Sequence, residues 1–140
     1  MIIKQISIFV ENKPGRLAEI TDIIAKNNIN MSALSLADTS NFGILRIIVD
    51  DPNKVEKILK ENNVTVSITS VISICVEDRP GGLAEILKLL AAENIAIEYV
   101  YAFVSKQDAG KAYVIMRVEE DFKAMEILKN AGYGGLNIES

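Results

Sequence analysis

The sequence contains no histidine and only one cysteine, Cys75. Without histidine there is no imidazole to act as an acid or base near neutral pH, or to bind a metal ion. The single cysteine cannot form an intramolecular disulfide, and no histidine is present to activate its thiol for catalysis. The sequence also lacks a P-loop, a G-x-S-x-G turn and a clustered pair of carboxylates. We therefore expect no enzymatic activity, no bound metal and no cofactor.

Neither a basic surface nor a membrane segment is visible in the sequence. Lysine and arginine number 15 against 19 aspartate and glutamate, giving a net charge of −4, and no basic stripe indicates a nucleic-acid partner. No apolar run approaches the roughly 20 residues that a membrane-spanning helix needs. The chain begins with an alternating strand pattern rather than a signal sequence. We therefore expect a soluble, cytoplasmic protein, with Cys75 as a buried or half-buried strand residue.

The dominant feature is a decapeptide that occurs twice. Residues 11–20 read ENKPGRLAEI and residues 77–86 read EDRPGGLAEI, at an offset of 77 − 11 = 66. Because a tandem repeat of this length copies a structural unit, the sequence predicts two small domains, at residues 1–69 and 70–140. A domain of about 65 residues buries only about 60% of its unfolded surface. We therefore expect the two halves to share an interface, and dimerisation of the chain would bury more.

Each half alternates between strand and helix periodicity in the order βαββαβ. Strands are expected at residues 2–10, 29–36, 42–49 and 64–68, and again at 71–76, 95–104, 112–118 and 136–138. The helices between them each carry one apolar stripe at spacings of three and four. The order is that of the ferredoxin-like α+β fold, a four-stranded antiparallel sheet with two helices on one face. No flexible linker separates the halves, so we expect them to be fixed relative to each other and to share a sheet or its edge.

The repeated decapeptide places a Pro-Gly loop between a strand and a helix. Pro14 suits the first helical turn, where its missing N–H costs nothing, and Gly15 allows a close approach by backbone, ligand or partner. The first N–H groups of a helix are unpaired and lie at the positive end of its dipole, so this loop can hold a carboxylate or another anion. Alternatively, Asn12 and Asp78 are good N-cap residues that would satisfy those N–H groups themselves. The residues alone leave both interpretations open.

With these loops the chain resembles the ACT domain family. The resemblance rests on the two decapeptides and on the segments that follow their helices, Asn28-Ile29-Asn30-Met31 and Asn94-Ile95-Ala96-Ile97. The two copies cover essentially the whole chain. The resemblance implies a non-catalytic regulatory module that binds a small amino acid and modulates an enzyme of amino-acid metabolism. It also implies two tandem ACT domains side by side in an eight-stranded sheet, with ligand between one motif loop and the neighbour's second strand.

The resemblance also implies which residues bind the ligand. Asn12 and Asn30 match asparagines that contact the ligand in serine-binding members, whereas the second half departs from this pattern with Asp78 and Ala96. If the halves pair, the Asn12 loop meets Ala96 and the Asp78 loop meets Asn30, so the two sites should differ in affinity. We favour the Asp78–Asn30 site, because a carboxylate can bind an ammonium. The expected ligand-binding residues are Asn12, Pro14, Gly15, Arg16, Leu17, Asn30, Asp78, Pro80, Gly81, Gly82, Leu83 and Ala96.

Two functions of different classes stay open at this point. The chain is either a sensor that binds an amino acid between its two ACT domains, or an assembly subunit without a ligand whose Pro-Gly loops shape an interface. Tyr99, Tyr101 and Phe103 alternate along one strand, where they either pack a sheet face or form a wall for an apolar ligand side chain. The expected partners are an amino acid, an enzyme of amino-acid metabolism and, as an option, a second copy in a homodimer. No nucleic acid and no membrane are expected.

Overall fold

The computed structural model of the chain describes residues 1–38 and 41–136, which form two compact units. The first unit consists of Lys4–Thr69, and the second consists of Met1–Ile3 together with the described residues from Ser70 onward. The elements are β1 (Ile2–Glu11), α1 (Arg16–Lys26), β2 (Met31–Asp38), β3 (Phe42–Val49), α2 (Pro52–Glu61), β4 (Val66–Glu77), α3 (Gly82–Ala92), β5 (Ile97–Val104), β6 (Lys111–Val118) and α4 (Asp121–Asn130). None of these helices is long and apolar enough to span a membrane.

The first unit has the hydrogen-bonded strand order β2-β3-β1-β4. β1 and β2 both pair antiparallel with β3, so that Ile6 and Ile8 lie on the same face as their partners Ile47 and Leu45. Both helices cover this face. The buried apolar cluster consists of Ile6, Ile8, Val10, Ile20, Ile24, Ile29, Leu45, Ile47, Val49, Val55, Leu59 and Val64. The predicted apolar stripe of each helix is thus confirmed.

The two helices of the first unit begin differently. Asp51 caps α2 by accepting a hydrogen bond from the Lys54 N–H at 3.2 Å, and Pro52 lies in the first turn, where these residue types favour the start of a helix. α1 begins only at Arg16, after Gly15 in the left-handed conformation with φ 86°. Because this φ is incompatible with a right-handed helix, Pro14 precedes the helix. The prediction that Pro14 occupies the first helical turn is therefore wrong.

The second unit has the strand order β4-β6-β5, again antiparallel. Its core, covered by α3 and α4, consists of Ile72, Ile74, Val76, Ile86, Leu90, Ile95, Ala112, Val114, Met116, Val118, Ala124 and Leu128. Tyr99, Tyr101 and Phe103 point to the opposite face, since their partners on β6 are Arg117, Ile115 and Tyr113. Phe103 stacks on Tyr113 with 5.5 Å between ring centroids. The three aromatic residues therefore lie on the sheet face opposite the helices, and a role as a wall for a ligand side chain stays a prediction.

Two further segments of the second unit run beside β4. Met1 O accepts the Ser73 N–H at 2.8 Å, and the Met1 side chain packs against the core of this unit. Gly134 O accepts the Cys75 N–H at 2.8 Å, and the Leu136 N–H donates to Ser73 Oγ at 3.1 Å. The chain is irregular at Leu136, where the predicted last strand begins, and residues 137 and 138 of that strand lie outside the described residues.

Several element bounds differ from the predicted ones for local reasons. β2 and β5 begin two residues late, because Asn28 and Asn94 adopt the left-handed conformation (φ 57°) after the preceding helix. The strands predicted at 64–68 and 71–76 are one continuous strand, β4. β2 also extends beyond its predicted end at residue 36, since Asp38 still belongs to it; residues 39 and 40 lie outside the described residues.

The βαββαβ repeats, the α+β class and the antiparallel pairing are thus observed. β4 contributes residues to both units, so two separate four-stranded sheets are not established. Among the described residues, β2 pairs only with β3 and β5 pairs only with β6. The eight-stranded arrangement and the division into domains 1–69 and 70–140 stay predictions.

Candidate ligand-binding site in the two motif loops

The first motif loop, residues 11–16, is held by backbone hydrogen bonds. The Lys13 N–H donates to Glu11 O at 2.8 Å, and the Arg16 N–H donates to Lys13 O at 3.3 Å. The Asn12 N–H donates to Asn41 O at 3.1 Å, which fixes the loop to the start of β3.

The second motif loop, residues 77–82, repeats this geometry. The Arg79 N–H donates to Glu77 O at 3.0 Å, and the Gly82 N–H donates to Arg79 O at 3.0 Å. The Asp78 N–H donates to Gly110 O at 2.8 Å, at the start of β6. Two different sequences therefore adopt the same backbone.

The glycines of the two loops explain this shared path. Gly15 and Gly81 both have φ 86°, a conformation that glycine adopts without the strain a side chain would cause. Gly82 has a different role, because a Cβ at this position would collide with the carbonyl oxygen of Glu77. The equivalent position in the first loop is Arg16 (82 − 66 = 16). The first loop thus has space for a side chain where the second has none.

Within residues 1–38 and 41–136, no side chain caps the helix that follows either loop. Gly15 and Gly81 are the N-cap residues of α1 and α3, and no described side chain makes a cap hydrogen bond to either helix. The alternative that Asn12 and Asp78 are N-caps is therefore wrong, since both lie three residues earlier and are exposed. The backbone N–H groups in the first turns of α1 and α3 lack a side-chain acceptor in the described part of the chain, so they can bind an anion. These N–H groups belong to Leu17, Ala18, Leu83 and Ala84.

In the first unit a guanidinium ties the loop to its helix. Arg16 Nη1 lies 3.2 Å from Glu19 Oε1, and its Nε lies 3.8 Å from Glu11 Oε1. The second distance allows an ion pair but not a hydrogen bond. The buried Nε–H of Arg16 therefore has no hydrogen-bond acceptor among the described residues, and only 14% of the side chain is exposed.

In the second unit Arg79 makes the corresponding contacts. Its Nη2 lies 2.7 Å from Glu85 Oε1, and its Nε lies 3.3 Å from Glu77 Oε2. The hydrogen bond to Arg79 lowers the pKa of Glu85, and its counterpart raises the pKa of Arg79. The Tyr133 hydroxyl donates to Glu85 Oε2 at 3.3 Å. Burial, followed by the charge of Glu85, raises the pKa of Tyr133.

The remaining predicted residues lie at exposed positions near these loops or before the edge strands. Pro14 and Pro80 are exposed, and Leu17 and Leu83 keep 37% and 41% of their surface exposed. The predicted residues of each motif loop and of the helix turn that follows it thus lie close to one another within their unit. Asn30 and Ala96 are exposed and immediately precede β2 and β5. Their predicted pairing with the loop of the other half stays a prediction.

The sequence reasoning missed two exposed apolar rows, which we call the edge rows. Leu34 and Leu36 on β2 are 58% and 46% exposed, although their partners on β3 belong to the core. Val100 and Val104 on β5 are 41% and 65% exposed, although their partners on β6 also belong to the core. An alternating apolar pattern looks the same in a covered strand and in an edge strand. That pattern alone therefore could not identify these surfaces.

In the described residues, no group of three or more cysteine, aspartate or glutamate side chains is arranged to hold a metal ion. A family model described as an ACT domain pair matches residues 1–134. The chain belongs to the ACT domain family. ACT domain pairs are regulatory modules, and the two motif loops of this ACT pair are the segments that carried the resemblance in the sequence.

Solved structures of similar proteins share the fold of this chain. Protein BT0572 from Bacteroides thetaiotaomicron is 46% identical, with a TM-score of 0.90, over 97% of this chain and 92% of that chain. The ligand-free regulatory subunit of aspartate kinase from Thermus thermophilus is 16% identical, with a TM-score of 0.65, over 94% of this chain and 95% of that chain. At this identity the second likeness concerns the fold alone. No curated protein matches the chain.

Proposed function

We propose that this ACT domain pair is a sensor that binds a small amino acid through its motif loops and thereby modulates an enzyme of amino-acid metabolism. The observation that carries the proposal is the pair of uncapped helix starts at Gly15 and Gly81, behind Pro-Gly loops of the same backbone. Unpaired N–H groups at the positive end of a helix dipole favour a carboxylate. A carboxylate is the group that all amino acids share.

The polar residues beside the helix starts would bind the rest of the ligand. In the proposed arrangement, the Asp78 loop works with Asn30 and the Asn12 loop works with Ala96, across paired ACT domains. Asp78 supplies a carboxylate for the ligand's ammonium, whereas Asn12 supplies a neutral amide and Ala96 supplies no polar group. Because charge-assisted hydrogen bonds are the stronger ones, the Asp78–Asn30 site is expected to bind more tightly.

Ligand binding would act on the enzyme by shifting the equilibrium between two arrangements of the ACT domains. A ligand shifts such an equilibrium only as far as it binds the two arrangements differently. A site completed by two domains meets this condition, because separation of the domains removes part of the site. Whether the ligand activates or inhibits the enzyme depends on which of the two domain arrangements the enzyme binds.

A thermal-shift screen against the twenty amino acids tests the proposal. A ligand at about 100 times its dissociation constant adds about 2.7 kcal/mol to the free energy of unfolding. For a chain near this size, that corresponds to a rise of several degrees in Tm. We expect a selective rise for one class of amino acid.

Matched variants assign the binding to the loops. Asn12→Ala and Asp78→Ala change exposed side chains and should reduce the ligand-induced shift without lowering the Tm of the free protein. Asn53→Ala and Asp50→Ala change exposed residues of the same types elsewhere and should leave the shift intact. A flat screen, or a shift that survives both loop substitutions, would contradict the sensor proposal.

The edge rows favour a second candidate function, that of an assembly subunit without a small-molecule ligand. Exposed apolar residues on an edge strand are a surface that pairs readily with another strand. In this case Leu34→Lys or Val104→Lys should lower the mass of the assembly in light scattering, while no amino acid raises the Tm. A mass unchanged by either substitution would remove the support for this candidate.

A further inference from the structure

Two segments that are far apart in sequence lie along the outer edge of β4 in the second unit. The Ser73 N–H points away from β6 and donates to Met1 O at 2.8 Å. The Cys75 N–H points the same way and donates to Gly134 O, also at 2.8 Å. Gly134 belongs to the segment after α4, residues 131–136, which we call the strap. One edge of one strand is thus shared between Met1 and the strap.

The first unit shows how this edge is filled in a regular sheet. There the Phe9 N–H donates to Thr65 O at 3.0 Å, and the chain continues directly into the regular strand β4. Phe9 is equivalent to Cys75 at the offset of 66. Thr65 is equivalent to Gly134 at the offset of 69 that relates β3 to β6 and α2 to α4. The strap therefore starts on the path of a fourth strand, but residues 133–136 are irregular.

Met1 occupies the hydrogen-bonding position that the strap would take next. In an antiparallel ladder, every second pair of opposite residues exchanges two backbone hydrogen bonds. With Cys75 opposite Gly134, the next such pair would be Ser73 and Leu136. Instead the Ser73 N–H donates to Met1 O, and the Leu136 N–H donates to Ser73 Oγ at 3.1 Å. The strap thus departs from the ladder at the residue where Met1 enters it.

Gly135 is the point at which the two segments meet. A Cβ at this position would collide with the carbonyl oxygen of Ser73 and would lie 2.7 Å from Met1 Cα. The observed arrangement therefore requires a glycine here. In a regular fourth strand, by contrast, the side chain of residue 135 would project out of the sheet, away from the ladder.

The two ways of filling this edge use the same number of hydrogen bonds. If Leu136 exchanged both backbone bonds with Ser73, two new bonds would replace the two that Ser73 now makes with Met1 and through its hydroxyl. The loss would be the packing of the half-buried Met1 side chain against the core of the unit. The gain would be the conformational freedom that Met1 regains. These contributions oppose each other and are of the same order.

We propose that Met1 and the strap are alternative partners of Ser73, so that the outer edge of β4 is a two-state switch. In the observed state Met1 pairs with Ser73. In the second state Leu136 exchanges both backbone bonds with Ser73, the strap forms the regular fourth strand of the unit, and Met1 leaves the core. A partner that binds one state more tightly shifts the switch towards that state. The switch uses neither motif loop, so it does not depend on the proposed ligand site.

Relaxation-dispersion NMR of the methionine methyl groups tests the switch, because it detects a minor state that exchanges within microseconds to milliseconds. The chain has four methionines. Met1 changes its surroundings in the switch, whereas Met116 is fully buried in the core of the same unit and reports whether that unit is folded. We expect exchange at the Met1 methyl, or a second Met1 signal if the switch is slower, and no exchange at Met116.

Two substitutions should shift the switch in opposite directions. Gly135→Ala adds the Cβ that collides only in the observed state, so it should raise the population of the second state at least about fivefold. The Met1 signal should then move towards that of an exposed methionine. Gly134→Ala is the control, because a Cβ there meets no atom within 4 Å. Leu136→Pro removes the N–H that the second state requires and should abolish the exchange at Met1, whereas Leu136→Ala keeps that N–H and should retain it.

Opposite shifts are what separates competition from a purely structural role of either segment. If Gly135→Ala leaves the Met1 signal unchanged, or if exchange at Met1 persists in Leu136→Pro, the two segments do not compete and the proposal is wrong. Should Gly135→Ala prevent folding, seen as loss of the Met116 signal, the wild-type chain and Leu136→Pro decide the question. Absence of exchange at Met1 in the wild type, or equal exchange in both chains, would then overturn the proposal.

Discussion

Arg16 and Arg79 stand at different positions of the repeat, yet each bridges the equivalent pair of glutamates in its own unit. Arg16 lies 3.8 Å and 3.2 Å from its two partners, and Arg79 lies 3.3 Å and 2.7 Å from its two. The partners, related by the offset of 66, are Glu11 and Glu19 in the first unit and Glu77 and Glu85 in the second. The residue equivalent to Arg16 is Gly82, where the Glu77 carbonyl leaves no space for a side chain, and in the second unit Arg79 contacts both glutamates instead.

Arg79→Gln should raise the pKa of Glu85 towards its ordinary value, because the hydrogen bond to Arg79 is the main cause of the lowered pKa. A lowered pKa in the folded state stabilises the fold above the ordinary pKa of 4.5, and this contribution disappears as the pH falls through the folded-state pKa. Carboxyl titration by NMR measures the shift. Arg16→Gln is the matched control, and an equal effect of both substitutions on Glu85 would contradict the assignment.

Gly82→Ala should lower the free energy of unfolding by about 1–3 kcal/mol, the usual cost of forcing extra atoms into a packed site. The added Cβ meets the carbonyl oxygen of Glu77, which the loop backbone holds in place. Gly134→Ala is the control, since a Cβ there meets nothing within 4 Å. Urea unfolding compares the two variants. If Gly82→Ala is as stable as Gly134→Ala, the close contact does not constrain the loop.

Removal of residues 1–3 should destabilise the second unit, although this segment is far from it in sequence. Met1 accepts the Ser73 N–H and packs against the core of that unit, and Ile3 is only 9% exposed. A buried apolar side chain contributes about 1.5–3 kcal/mol. Hydrogen exchange at the Ser73 amide should become faster in the truncated chain. Lys4→Ala, which changes an exposed residue, should leave that amide protected; unchanged exchange after truncation would contradict the role of Met1.

Tyr133 should make the fold sensitive to alkaline pH. Burial, together with the neighbouring Glu85, raises its pKa above the ordinary 10.0. A raised pKa contributes stability that is fully present below the ordinary value and is lost as the pH rises through the folded-state value. The free energy of unfolding should therefore fall above about pH 10, and Tyr133→Phe should reduce that fall. An identical alkaline loss in the variant would show that Tyr133 is not responsible.

The core could be predicted because one-sided burial imposes a simple period on the sequence. Ile6 and Ile8 alternate with residues of the other face, and the residues that pair with them on β3 alternate in the same way. The βαββαβ order followed from these periods and from the repeat. Local capping at Asp51 was also predictable, because its carboxylate acts within one turn of its own helix.

The details of the candidate site could not be predicted because they depend on backbone conformation and on contacts between distant residues. Asn12 has the right chemistry for an N-cap, but the left-handed Gly15 starts the helix three residues later. The ion pair of Arg79 with Glu85 requires a residue of the following helix, α3, which the loop sequence does not reveal. The exposure of Leu34 depends on its strand being an edge, which its own pattern does not reveal.

The most direct test of the sensor account is a calorimetric titration with the amino acid that raises the Tm most. The wild-type chain should bind it with a measurable dissociation constant. Asp78→Ala should weaken binding at least tenfold, and Asp50→Ala should bind as the wild type does. Absence of binding in the wild type, or equal affinity in all three chains, would contradict the claim that the motif loops form an amino-acid site.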